Sequence, residues 1–221
     1  MCGIGRRAFL AAFAPVALGM SGGWAGRLRG EATGGVPLPA FGRDTVLVWR
    51  IEGDAYEKGF VARLGSFAPD RLLEWEDGAG GQGTVFLRER DLQGAKGYES
   101  SSLFVGGMDK AGRDATTLWL SRRVFAELAE KGGAKLNLDG VAAKLRRLGK
   151  EGVPVEVNRA AVELPVVKAA DDRTGEWCFL DDPANPLMVR YETRHHRQTL
   201  ASVTTDQPDT LRWIKGARLR P

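Results

Sequence analysis

Short runs of β-favouring residues, separated by turn residues, fill most of this 221-residue chain. The clearest pair is VPVEVNRAAVELPVVKA, in which valines at every second position of the first run face Val162, Leu164 and Val166 in the second, around Asn158 and Arg159. A period of two places such residues on one face of a strand, and a two-residue connection is typical of a β-hairpin. The chain is therefore constrained to a mainly antiparallel sheet.

Further runs of strand length continue this pattern on both sides of the hairpin. They are 44–53, 59–67, 70–77, 83–92, 98–107, 134–138, 141–148, 176–180, 187–192 and 199–205. Asp139-Gly140 is a strong hairpin turn, and the glycine-rich segment 77–83 predicts a loop between two strands. Residues 141–148 fit either a strand or a short helix, and the preceding Asp-Gly turn favours a strand. Of these twelve candidate runs we expect nine to eleven to form strands.

One helix is predicted, in TTLWLSRRVFAELAEKGG. Ser121 is its expected N-cap and Gly132-Gly133 its end, while Val124, Phe125, Leu128 and Ala129 form one apolar face. That face is expected to pack on the sheet. The fold class is therefore α+β, dominated by an antiparallel β-sheet with one main helix.

The N-terminus resembles a bacterial signal peptide over residues 1–25. Arg6 and Arg7 precede an apolar run at 8–20, and Gly23 and Ala25 supply the small residues of a cleavage site. The order of residues around the arginines fits the twin-arginine route, with general secretion as the alternative. The predicted location is periplasmic or secreted.

The rest of the chain divides into three predicted parts. Residues 26–43 are rich in glycine and proline and predict a flexible tether, residues 44–205 a single β-rich domain, and residues 206–221 a basic tail. No run after the leader is long enough to span a bilayer, which takes ~18 apolar residues. Without the leader the charge is nearly balanced, so we expect no nucleic-acid partner.

Paired aspartates in WCFLDDPANPLMVRYE, residues 177–192, raise the question of a catalytic or cation site. Asp182-Pro183-Ala184-Asn185 has the composition of a type I turn, and Asp181 and Asp182 point apart on an extended chain. Neither this pair nor Asp171-Asp172 has the ligand spacing of a calcium loop. We interpret both pairs as turn residues.

The other reactive side chains give no stronger pattern. His195 and His196, the only histidines, are expected to diverge, and Cys178 is expected to be a buried hydrophobe between aromatic residues. GAGGQG lacks the lysine and following helix of a phosphate loop. The sequence therefore predicts no catalytic residue, no metal site and no cofactor, and leaves enzymatic activity uncertain.

The second half of the chain resembles a family of exported bacterial proteins. The similarity covers about residues 85–205 and rests on the order of TLWLSRRVFAEL, the 153–169 hairpin and EWCFLDDPANPLMVRYE. The fold expected for that family is a strongly curved antiparallel β half-barrel, similar to that of periplasmic lipoprotein carriers. The resemblance implies a concave apolar face that could hold an acyl chain or a hydrophobic segment of a partner.

The leading hypothesis is an exported cell-envelope protein that binds an apolar or lipid ligand, or an envelope protein, without catalysis. Alternatives are an exported hydrolase that uses carboxylates on an envelope polymer, and a scaffold that pairs strand edges. The predicted apolar face takes its residues from one stretch: Trp177, Phe179, Leu187, Val189 and Tyr191. The tryptophans are candidates for either the core or a cavity wall.

Overall fold

The computed structural model describes residues 38–100 and 103–205, which form thirteen strands and two helices within one compact unit. The strands are β1 (Val46–Gly53), β2 (Tyr56–Ser66), β3 (Arg71–Asp77), β4 (Gln82–Leu87), β5 (Gly97–Tyr98), β6 (Asp109–Ala111), β7 (Ala115–Thr116), β8 (Gly133–Leu138), β9 (Val141–Val157), β10 (Ala160–Asp171), β11 (Glu176–Leu180), β12 (Met188–Glu192) and β13 (His196–Thr204), and the helices are α1 (Glu89–Gly94) and α2 (Arg122–Lys131). The predicted class, α+β with a dominant sheet and one main helix, is confirmed. The predicted leader, the tail and the tether up to residue 37 lie outside the described residues.

All thirteen strands belong to one sheet in the order β6-β4-β3-β2-β1-β13-β12-β11-β10-β9-β8-β5-β7. Most neighbours are antiparallel, while β6, β7 and the β5–β8 pair join in parallel. The end of β9 also pairs in parallel with β13, at Glu156 with Ser202 and Val157 with Val203. This contact turns β9 to β13 into a partial ring, so the sheet is mixed and curved.

The predicted central hairpin is confirmed in its register. Val155 lies opposite Val162 and Val153 opposite Leu164. The two turn residues, Asn158 and Arg159, have φ angles of 49° and 70°, as a type I′ turn requires. The separately predicted strands 141–148 and 153–157 merge into the 17-residue β9, whose register with β10 shifts beside Gly149.

Helix α2 confirms its predicted cap and apolar face. The Ser121 hydroxyl accepts from the Val124 amide at 3.3 Å and donates to the Ala95 carbonyl at 2.7 Å, and Gly132 ends the helix at φ 74°. Val124 is buried with the other apolar residues of the stripe, Phe125 and Leu128, while Ala129 is partly buried. Gly133, predicted as part of the stop, instead begins β8.

Two predicted strands are wrong over part of their length. The strand predicted at 83–92 ends at Leu87, because the carboxylate of Asp70 accepts the Glu89 amide at 2.7 Å where α1 begins. The strand predicted at 98–107 keeps only Tyr98, the second residue of β5, and a turn replaces its far end around Gly107, with φ 72°. No helix in the described ranges is long and apolar enough to cross a membrane.

The buried side chain of Arg71, at the start of β3, binds the turn at 182–185 that the sequence predicted. The Arg71 guanidinium lies 4.6 Å from the Phe67 ring and 4.4 Å from the Trp119 ring, and it donates to the Asn185 side chain at 2.7 Å. Burial, and to a smaller extent the nearby Arg122 cation, together lower the pKa of Arg71 to about 10. The charge stays on Arg71 at neutral pH, held by two aromatic faces and one amide.

The two edge strands of the sheet are neighbours in sequence. β6 lies on β4 at one edge and β7 on β5 at the other, and only residues 112–114 separate them. At this link a Cβ atom on Gly112 would lie 2.4 Å from the Ala115 carbonyl oxygen. The close approach requires glycine at position 112.

We expect Gly112→Ala to lower the free energy of unfolding by about 1–3 kcal/mol, because backbone must move to admit a methyl group in a packed site. The matched control is Gly94→Ala, where a Cβ atom meets nothing within 4 Å. Urea denaturation of both variants measures the difference. Equal stability of the two would show that the edge link tolerates a side chain.

Candidate functional site

A cavity of about 300 Å³ lies against five adjacent strands, β3, β2, β1, β13 and β12. We call it the amphiphilic cavity, because its lining combines apolar and polar side chains. The lining residues are Ile51, Tyr56, Lys58, Phe60, Trp75, Asp77, Ser100, Phe104, Tyr191, His196 and Gln198. A concave, largely apolar site with a few polar groups is the usual form of a small-molecule site.

Strand register explains why these residues share one side of the sheet. Lys58 lies opposite Ile51, Ile51 opposite Gln198, and Gln198 opposite Tyr191, which makes a single row across four strands. Directly opposed residues in antiparallel strands point to the same face. Phe60 follows Lys58 by two residues and therefore extends the same surface.

Aromatic rings form the apolar end of the cavity. Phe104 packs edge-on against Phe60 at 4.8 Å and against Trp75 at 5.6 Å between ring centroids. Phe60 and Trp75 stack at 6.1 Å. These three rings give the cavity a rigid wall suited to a flat or narrow apolar group.

The opposite end carries polar groups. The Tyr56 hydroxyl and His196 Nδ1 lie 3.1 Å apart, and the Tyr56 ring occupies space that a side chain on Gly53 would fill. Asp77 lies at the aromatic end, directly opposite Phe60, and its carboxylate accepts the Ala79 amide at 3.0 Å and the Gly81 amide at 2.7 Å in the β3–β4 turn. The carboxylate of Asp77 is therefore already hydrogen-bonded to backbone amides.

Lys58 is the single lysine or arginine in the lining of the amphiphilic cavity. Within residues 38–100 and 103–205 its ammonium group has no hydrogen-bond or ion-pair partner. Burial lowers the pKa of His196, and the positive charge of Lys58 lowers it further. At neutral pH the polar end thus presents one cation beside a neutral imidazole.

The five residues of the predicted apolar face occupy two different environments. Trp177, Phe179, Leu187 and Val189 are at most 2% exposed and belong to the hydrophobic core. Tyr191 is partly buried, stacks on Trp177 at 3.9 Å, and lines the amphiphilic cavity. A register shift between β11 and β12 pairs Phe179 with Met188, which interrupts the alternation expected for the returning strand.

One aspartate of each pair binds turn amides, as interpreted from the sequence, while Asp181 pairs with Lys150 and Asp172 accepts the Lys144 amide. The Asn185 amide donates to the Asp182 carbonyl at 3.0 Å, as in a type I turn, and the Asp182 carboxylate accepts the Ala184 amide at 2.9 Å. The Asp171 carboxylate accepts the Arg173 and Gly175 amides, each at 2.8 Å. Both pairs have a structural role at turns.

The histidines and the cysteine also agree with their predicted environments. His195 lies 2.7 Å from the Asp54 carboxylate while His196 faces Tyr56, so the two rings have separate partners. Cys178 is 1% exposed, and burial raises the pKa of its thiol to about 12. No group of three or more potential metal ligands occurs within the described ranges.

Sequence reasoning missed most of the amphiphilic cavity. The strand predicted at 59–67 begins three residues late, which left out Tyr56 and Lys58 of β2. The period-two row of Tyr56, Lys58 and Phe60 was the available signal, since it mixes polar and aromatic residues on one face. Trp75 was among the tryptophans considered for a cavity wall.

Comparison of the chain with protein-family models, with curated proteins and with solved structures finds no match. The curved β-rich sheet is therefore known from the structure of this chain alone. The likeness to periplasmic lipoprotein carriers remains a prediction.

The His196 environment predicts a pH dependence of stability. Because its pKa is lower in the folded chain, the unfolded chain binds the proton more readily, and the free energy of unfolding falls as pH drops through about 6.5, the ordinary histidine value. Above that pH the full contribution is present. We expect urea titrations between pH 8 and pH 5.5 to show a shallower decline for His196→Gln than for the unmodified chain.

His195→Gln is the matched control, because its ring lies 65% exposed beside Asp54 and outside the cavity. An identical pH profile for His196→Gln and the unmodified chain would contradict the assignment to His196.

Proposed function

We propose that this protein is an exported cell-envelope protein that binds a small apolar molecule bearing an acidic group in the amphiphilic cavity. The carrying observation is the unpaired Lys58 ammonium group at one end of an aromatic cavity. An ion pair with a partly enclosed cation becomes stronger when the ligand displaces water from around it. A carboxylate or sulfonate head meets that requirement, and the apolar remainder of the ligand packs on Phe60, Trp75 and Phe104.

The cavity volume limits the ligand size. About 300 Å³ equals the liquid volume of roughly ten water molecules, which corresponds to a ligand of about ten to fifteen non-hydrogen atoms. A medium-chain or aromatic acid fits this space, whereas a whole membrane lipid does not. We therefore propose a small amphiphile as the ligand, rather than a membrane lipid.

The exported location rests on the signal-like segment at residues 1–25 and stays part of the proposal. The curved β-rich sheet agrees with the carrier-like fold implied by the sequence resemblance. A carrier of lipidated proteins would need a larger apolar surface than this cavity provides. We therefore place the proposed activity at the level of small-ligand binding.

The two alternative functions receive less support from the described residues. A carboxylate-dependent hydrolase needs converging carboxyl groups, yet Asp182 and Asp171 are bonded to turn amides and Asp181 to Lys150 at 2.6 Å. A scaffold that adds strands needs a long free edge, whereas β6 and β7 have three and two residues.

The proposal predicts a charge-dependent difference between two ligands of equal length. Octanoate should bind the full chain more tightly than octan-1-ol, and Lys58→Gln should weaken octanoate binding about tenfold, the value of one charge-assisted hydrogen bond. Binding of octan-1-ol should stay unchanged in that variant. Isothermal titration calorimetry measures all four constants, and the change in total tryptophan fluorescence, to which Trp75 of the cavity wall contributes, gives an independent signal.

Lys131→Gln, at the exposed end of α2, is the control for a lost positive charge. Equal effects of Lys58→Gln and Lys131→Gln, or no octanoate binding by the unmodified chain, would refute the proposed site. Hexadecanoate should bind no better than octanoate if the cavity sets the chain length.

A further inference from the structure

A second concave surface lies on the exposed side of β8 and β9 and is distinct from the amphiphilic cavity. It encloses about 310 Å³. Its lining is Lys96, Lys135, Leu136, Asn137, Ala142, Ala143, Lys144 and Asp172, and we call it the basic groove. None of these residues lines the amphiphilic cavity.

The basic groove contains an unfavourable pair of like charges. Lys135 of β8 lies directly opposite Lys144 of β9. Both side chains are exposed, and neither has an ion-pair partner in the described part of the chain. Like charges at directly opposed positions destabilise a sheet, so the repulsion within this pair lowers the stability of the fold.

Two further cations lie beside this pair. The Lys96 carbonyl accepts the Asn137 amide at 2.8 Å, which holds the Lys96 backbone against β8. The Arg173 guanidinium donates to the carbonyl of Ala142, a lining residue, at 3.4 Å. The positive charge is therefore concentrated on one short stretch of the sheet.

The single acidic residue of the groove is already engaged. The Asp172 carboxylate accepts the Lys144 amide at 3.2 Å. Three lysines against one aspartate leave the lining with a net charge of +2. Leu136 and Ala143, both at most 5% exposed, point into the core on the other face of β8 and β9, so the neighbouring lysines point outward.

We infer that the basic groove binds a phosphate monoester group. A dianion matches the net charge of the lining, and its three terminal oxygens can accept from lysine ammonium groups and the side-chain amide of Asn137 together. Binding relieves the repulsion between Lys135 and Lys144. The same group occurs on free small molecules and on lipid headgroups, and the experiment separates the two.

The test titrates the full chain with inorganic phosphate and with phosphatidylcholine vesicles that do or do not contain phosphatidic acid. We expect saturable phosphate binding with the largest amide shifts in NMR spectra at residues 135–137 and 142–144. The Lys135→Gln/Lys144→Gln variant should bind at least about tenfold more weakly, since it loses two charged donors. Binding to the phosphatidic acid vesicles without binding to inorganic phosphate assigns the group to a lipid.

Lys110→Gln/Lys150→Gln removes the same charge outside the groove and should leave phosphate binding unchanged. The Lys135→Gln/Lys144→Gln variant should also melt at a higher temperature than the unmodified chain at low salt, because the opposed charges are gone. Failure of both phosphate and phosphatidic acid to bind, or an equal loss in the two variants, would overturn the inference. Octanoate binding at the amphiphilic cavity is unaffected by either result.

Discussion

The two edges of the thirteen-stranded sheet are held by one short piece of chain. With β6 on one edge and β7 on the other, Ala111 and Ala115 can be at most about 14 Å apart, the length of four extended residues. The sheet must bend around its apolar face to bring its edges that close. The packed core, the pairing of β9 with β13 and the amphiphilic cavity all depend on that curvature.

Alternation along the strands divides the sheet into surfaces with different chemistry. Inward positions supply the tryptophans and aliphatic residues of the core, and near β1 and β2 they also supply the mixed lining of the amphiphilic cavity. Outward positions of β8 and β9 carry Lys135 and Lys144 of the basic groove. One period of two residues thus produces an apolar interior, an amphiphilic site and a cationic exterior without separate domains.

The sequence predicted well the features that depend on neighbouring residues. The turn at Asn158 and Arg159, the Ser121 cap and the amides bound by Asp182 follow from local chemistry, and each is present. Features that depend on distant contacts were missed. Helix α1 begins because Asp70 bonds Glu89, and the amphiphilic cavity exists because Phe104 packs on Phe60. Neither contact leaves a periodic signal in the chain.

The first and last strands of the described sheet lie side by side, since Val46–Gly53 pairs with His196–Thr204. These strands are about 150 residues apart in the chain, so their meeting closes a long loop and is expected to come late in folding. During synthesis, β1 can pair with β13 only after residues 196–204 have been made. The part of the cavity wall that His196 and Gln198 supply also forms only at that stage. β13 is the last of the described strands to be synthesised, yet it lies near the middle of the sheet.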